Sequence, residues 1–133
     1  MRFGEVIKSE DFKTEKHVPV ITTLEVPAKV KAGEPFQVNV TVGKEIPHPN
    51  TTEHHIRWIK VFFKPDGDQY AYHVGSFAFE AHGEAVTGPN TGPVYTEPSI
   101  TLSMKVNKSG TLLALSYCNI HGLWESSSRI EVE

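Results

Sequence analysis

The sequence predicts an all-β protein, an immunoglobulin-like antiparallel β-sandwich of about seven strands. Three observations carry that expectation. Apolar residues recur with a period of two in several short runs. Turn sequences rich in glycine, proline and asparagine separate those runs. No window sustains a helical period, and Lys8–Glu15 reads at most as a turn.

Taken in order, the turn signature Lys31-Ala32-Gly33-Glu34-Pro35 precedes a run in which Phe36, Val38, Val40 and Val42 alternate with Gln37, Asn39 and Thr41. Such alternation marks a strand with one buried face. Ile59, Val61 and Phe63 repeat the pattern and end at Pro65-Asp66-Gly67-Asp68; Phe77 and Phe79 follow. The segment Gly83–Pro98 holds three glycines and three prolines and reads as a crossing from one sheet to the other. Ile100, Leu102, Met104 and Val106 then alternate with Thr101, Ser103 and Lys105, closing at Asn107-Lys108-Ser109-Gly110. Leu112–Cys118 is nearly all apolar, as in a strand covered on both faces, and Ile130 with Val132 begins the last alternation. Trp58, Trp124 and the phenylalanines read as core. With no linker, repeat or low-complexity tract, residues 1–133 form one expected domain.

Composition narrows the function. A chain of 133 residues with 38% hydrophobic and 22% charged residues is long enough to bury a core. No run approaches the ~20 apolar residues of a membrane span. The start Met1–Glu5 lacks the apolar stretch of an export signal, so a cytoplasmic protein with no membrane partner is expected. The single cysteine fits that address, because no disulfide can form within the chain. Net charge is −3 with scattered lysines and arginines, which gives no footprint for nucleic acid.

Histidine and cysteine placement points to a metal. Most of the seven histidines fall at strand ends or in loops, where a rigid sandwich presents functional side chains. In Cys118-Asn119-Ile120-His121-Gly122, a thiolate and an imidazole stand three positions apart and can reach one metal when a strand ends in a tight turn. By itself the pair reads equally well as a buried cysteine beside a solvated histidine. His48 and His54 bracket an inter-strand loop, and Pro47 and Pro49 restrict the backbone around His48. Scattered histidines also occur as plain surface residues. Neighbouring His55 would face away from His54 on a strand, so only one of them suits a ligand. Glu15 and His17 share a face of an extended chain with Lys16 pointing elsewhere, an arrangement that a solvated charged loop also gives. His73 and His82 lie in predicted strands and read as structural. One thiolate with several imidazoles exceeds the tetrahedral zinc set and suits a redox iron or copper centre.

Three blocks resemble a known family: Glu15-Lys16-His17-Val18-Pro19, the stretch from Lys44 to His55, and the stretch from Ser116 to Glu125. They resemble the superoxide reductases, and among them the one-iron type, also called neelaredoxin, of the desulfoferrodoxin iron-binding family. The resemblance runs from about Lys8 to the C-terminus and includes His82-Gly83-Glu84 and Gly88-Pro89-Asn90-Thr91. It implies one ferrous or ferric iron per chain, with His17, His48, His54 and His121 as equatorial ligands and Cys118 as the axial thiolate. It also favours His54 over His55. Glu15 corresponds to the carboxylate that takes the sixth position when iron is ferric, and Lys16 to the cationic residue beside the open position. Larger members add a four-cysteine iron domain, which a chain with one cysteine cannot supply.

The implied activity is one-electron reduction of superoxide to hydrogen peroxide, the electron coming from a small iron protein such as rubredoxin, in a homotetramer. Superoxide is an anion and the chain is net negative, so local charge at Lys16 has to attract it. Two rivals differ in testable ways. A cupredoxin-like electron carrier wants an axial methionine after its last histidine, whereas Met1 and Met104 both precede Cys118. A binding module with a structural zinc would be colourless.

Overall fold

The computed structural model describes residues 1–23 and 29–133. A 3-10 turn at Phe3–Glu5 precedes eight strands: β1 (Pro19–Thr23), β2 (Lys29–Val30), β3 (Phe36–Val42), β4 (Ile56–Pro65), β5 (Tyr72–Ala78), β6 (Ser99–Met104), β7 (Gly110–Cys118) and β8 (Gly122–Val132). They form a three-stranded sheet, β1-β3-β6, and a five-stranded sheet, β2-β8-β7-β4-β5. The architecture is the immunoglobulin-like β-sandwich that the alternation predicts.

Burial explains why the strands form where they do. Phe36, Val38, Val40 and Val42 of β3 face Ile56, Ile59, Val61 and Phe63 of β4, with Leu112, Ala114 and Cys118 of β7 and Ile130 of β8, in one continuous core. Val38, Val40, Ile59, Val61, Leu112 and Ile130 have no exposed surface. Each such side chain contributes about 1.5–3 kcal/mol over leaving it in water. The segment 83–98 does cross between the sheets, joining β5 to β6 with one bridge between His82 and Tyr95.

The eight strands among the described residues agree with the expected number of about seven; Lys29–Val30 adds a short parallel pairing with Glu131–Val132, where two residues are too few to show a period. Three expectations need correction. β7 is covered completely on one face only: its buried residues alternate with the half-buried Thr111, Leu113, Leu115 and Tyr117. Trp58 is not core. The β4–β7 register slips between Ile56 and Trp58, and this bulge turns Trp58 outward onto Tyr117, with ring centroids 5.6 Å apart. His82 follows β5 and makes only the single bridge, not a strand.

The register also gathers the chemistry at one end. Pro19, at the start of β1, pairs with Val42 at the end of β3, and Ile56, at the start of β4, pairs with Cys118 at the end of β7. His17 therefore precedes β1, His48 and His54 occupy the β3–β4 crossing, and Cys118 and His121 flank the β7–β8 turn, all beside one another. Two glycines permit this crowding. Gly43 has φ +85°, and a Cβ there would sit 2.6 Å from the His48 nitrogen; Gly122 takes φ +82° to close the turn after His121.

Candidate metal centre

Four imidazoles form a ring of nearly equal sides. Successive centroid distances are 4.8 Å for His17–His48, 4.7 Å for His48–His54, 4.9 Å for His54–His121 and 4.7 Å for His121–His17. The His17–His54 diagonal is 6.2 Å, somewhat less than a flat square of those sides would have. Donor atoms of His17, His48, His54 and Cys118 all lie within 4.8 Å of one another. His121 completes the group, with Nδ1 3.1 Å from His17 Nε2, 3.2 Å from His54 Nε2 and 3.8 Å from Cys118 Sγ.

Hydrogen bonding alone does not account for this. A ring nitrogen carries either one proton or one lone pair, so His121 Nδ1 cannot satisfy two imidazoles and a sulfur together. Two imidazole nitrogens bound at right angles to one divalent metal lie about 3 Å apart, given metal–nitrogen bonds of about 2.0–2.1 Å. The observed spacings match that value. His48 Nε2 is buried without a hydrogen-bond partner, as a donor atom awaiting a metal would be.

The reverse sides of the rings set the tautomers. His17 Nδ1 donates to Glu15 Oε1 at 2.5 Å, and His48 Nδ1 donates to the Pro49 carbonyl at 2.6 Å. With the proton on Nδ1, each Nε2 keeps its lone pair toward the cluster. Burial pushes the titration of His48 down to about 4 and lowers those of His17 and His54. All three are then neutral near pH 7, the form that binds metals. Burial works against ionisation of Glu15, but its bonds to the His17 ring and backbone N–H outweigh that and hold its carboxyl below the usual range.

Cys118 has no exposed surface and approaches the square from the core, while the His121 backbone N–H donates to its Sγ at 3.4 Å. Beside the square lies a cleft of about 490 Å³, lined by Thr14, Glu15, Lys16, His17, Ile46, His121 and Trp124. Lys16 thus lines the cleft beside the square. The Glu15 carboxylate bonds the back of His17 and is not among the converging donors. His55 lies outside the square, stacked on His82 at 3.4 Å with its Nδ1 on the Thr51 carbonyl. His73 bonds Ser76 on β5.

Trp124 is buried, as the sequence reading expects, but it also touches two of the candidate ligands. It stacks on His17 at 5.0 Å and 16°, and its indole N–H donates to the His121 carbonyl at 3.1 Å. It is a buried residue that also forms a wall of the site, a second role the pattern did not give it. Its position three residues after His121 was the available signal. Met104, the sole methionine besides Met1, lies on β6 and packs against the hydrophobic core, which leaves a cupredoxin-type centre without its thioether.

A β-sandwich that converges four imidazoles and a buried thiolate on one point is the scaffold of a metal-binding protein, with a donor set that fits iron. The desulfoferrodoxin family model matches residues 9–127. This chain belongs to the desulfoferrodoxin family, which binds iron. A crystal structure from Thermotoga maritima superposes with a TM-score of 0.95 at 68% identity, covering 100% of this chain and 98% of that one. The neelaredoxin of Megalodesulfovibrio gigas is 53% identical over 133 residues, all of both chains. The superoxide reductase of Pyrococcus furiosus is 56% identical over 128 residues, 96% of this chain and 98% of its own. No helix among the described residues is long and apolar enough to cross a membrane.

Proposed function

We propose that this chain is a superoxide reductase of the one-iron type, holding one iron per chain through His17, His48, His54, His121 and Cys118. The square of four imidazoles backed by a buried thiolate is the observation that carries the reading. Full-length relatives named superoxide reductase and neelaredoxin support it. When bound, iron alternates between ferrous and ferric and supplies the single electron that turns superoxide, with two protons, into hydrogen peroxide.

The chain's own groups prepare that chemistry. Glu15 keeps the His17 proton on Nδ1, so Nε2 remains a ligand atom. The His121 N–H bonds Cys118 Sγ and would moderate the charge that the sulfur gives to a bound metal. Lys16 puts a positive charge at the cleft and draws in the anion, against a net charge of −3. As the family resemblance implies, Glu15 would also be the carboxylate available to hold ferric iron, a role it could take up only by giving up its bond to His17. The same kinship supports three finer points: an external electron donor such as rubredoxin, a homotetramer in the cytoplasm, and residues 1–133 acting as one domain.

The deciding assay follows superoxide consumption with dioxygen and peroxide measured together. Peroxide without dioxygen is expected in the presence of a reductant. One dioxygen for every two superoxide ions would mean dismutation and sink the reading.

A further inference from the structure

We propose that Asn119 positions His54 for the metal, its side-chain amide standing in for a missing rung of the β4–β7 ladder. This rests on the reading of the histidine square as an iron site.

The regular ladder stops where Ile56 pairs with Cys118. Beyond that rung the two chains must part. β7 has to turn within three residues to bring His121 back over Cys118, while the chain before β4 has to present His54. A backbone that bends so sharply cannot keep offering its N–H and C=O groups to a neighbouring strand, and buried main-chain groups left unpaired are costly.

Asn119 fills the gap. Its backbone N–H donates to the His55 carbonyl at 3.2 Å. Its Oδ1 accepts from the His55 N–H at 2.9 Å, and its Nδ2–H donates to the Glu53 carbonyl at 2.8 Å. The residues on both sides of His54 are therefore tied to one side chain, which itself sits between Cys118 and His121. Ligands from two distant segments are locked together through it.

The chemistry selects asparagine. A primary amide presents one acceptor and one donor in a single plane, as a peptide group does. Aspartate would keep the bond to the His55 N–H but would set an anionic oxygen against the Glu53 carbonyl. Alanine would lose both side-chain bonds. The bonds reach His54 only through its main chain, so Asn119 is a positioning residue and not a ligand.

The test compares wild type, Asn119→Ala, Asn119→Asp, His54→Ala and the His54→Ala/Asn119→Ala double variant. Each is loaded with ferrous iron, and transfer of iron to a chelator is timed; unfolding of the metal-free forms is followed alongside. Asn119→Ala is expected to speed release about 10–100-fold, the usual cost of losing an outer-shell partner, with Asn119→Asp in between. Once His54 is gone, Asn119→Ala should change release by no more than about twofold, because the group it acts through is absent. An equal effect with and without His54, or release from Asn119→Ala no faster than from wild type, overturns the proposal. Should Asn119→Ala fail to fold without metal, Asn119→Asp in the two backgrounds decides in the same way. Wild-type protein that takes up no iron would overturn the iron reading itself, and this proposal with it.

Discussion

The indole of Trp124 lies on the imidazole of His17, with centroids 5.0 Å apart and planes 16° from parallel, while its N–H holds the His121 carbonyl. One side chain thus fixes two candidate ligands that are 104 residues apart in sequence. Trp124→Phe keeps an aromatic face but deletes the hydrogen bond. A loss of about 1 kcal/mol, roughly fivefold in the rate of iron release, is expected. Stopped-flow transfer of iron to a chelator checks it, and an unchanged rate would return Trp124 to a packing role.

Lys16 provides positive charge at the cleft of a net-negative protein. Lys16→Ala should slow the bimolecular reaction with superoxide by about tenfold, at the low end of steering effects, and flatten its dependence on salt. The visible spectrum should stay as it was. Identical pulse-radiolysis rates for variant and wild type would remove Lys16 from the mechanism.

Glu15 fixes the proton of His17 on Nδ1, and under the proposed function it would also be the carboxylate that ferric iron takes up. Glu15→Ala should therefore weaken ferrous iron binding about tenfold, the lower bound for an outer-shell carboxylate, and also shift the ferric spectrum. A spectral shift with ferrous affinity intact would leave only the sixth-position role.

The pH dependence of the metal-free protein follows from His48. Burial lowers its titration from 6.5 to about 4. Between those values the unfolded chain takes up a proton that the folded chain refuses, so stability falls with pH across this window and levels off below it. His17 and His54 are shifted the same way, burial again being the main cause. Compared by urea midpoints across the window, wild type should lose stability relative to His48→Gln as pH drops. A constant gap between them would contradict the assignment.

Much of this was legible in the sequence, for reasons the structure makes plain. β3 and β6 each carry a simple alternation of inner and outer residues, so period two revealed them. β2 is two residues long and shows no period. Trp58 escaped because a bulge at the start of β4 shifts its alternation by one residue. The Cys118–His121 pair was visible from spacing, since a single turn brings the two together. The meeting of His17 with His121 was not, because nothing local links a segment before β1 to the β7–β8 turn; family resemblance supplied it. Trp124 reads as core and is buried, but its contacts with His17 and His121 leave no mark in a local pattern. Nothing in the pattern singles out Asn119, because its partners lie more than 60 positions away.

The central claim is that four imidazoles and one thiolate hold a single iron. X-ray absorption at the iron edge of the purified protein tests it most directly. The account predicts one sulfur scatterer with a shell of imidazole nitrogens, and loss of that sulfur in Cys118→Ser. An iron shell without sulfur in the wild-type protein, or a site filled by four-coordinate zinc, would contradict it.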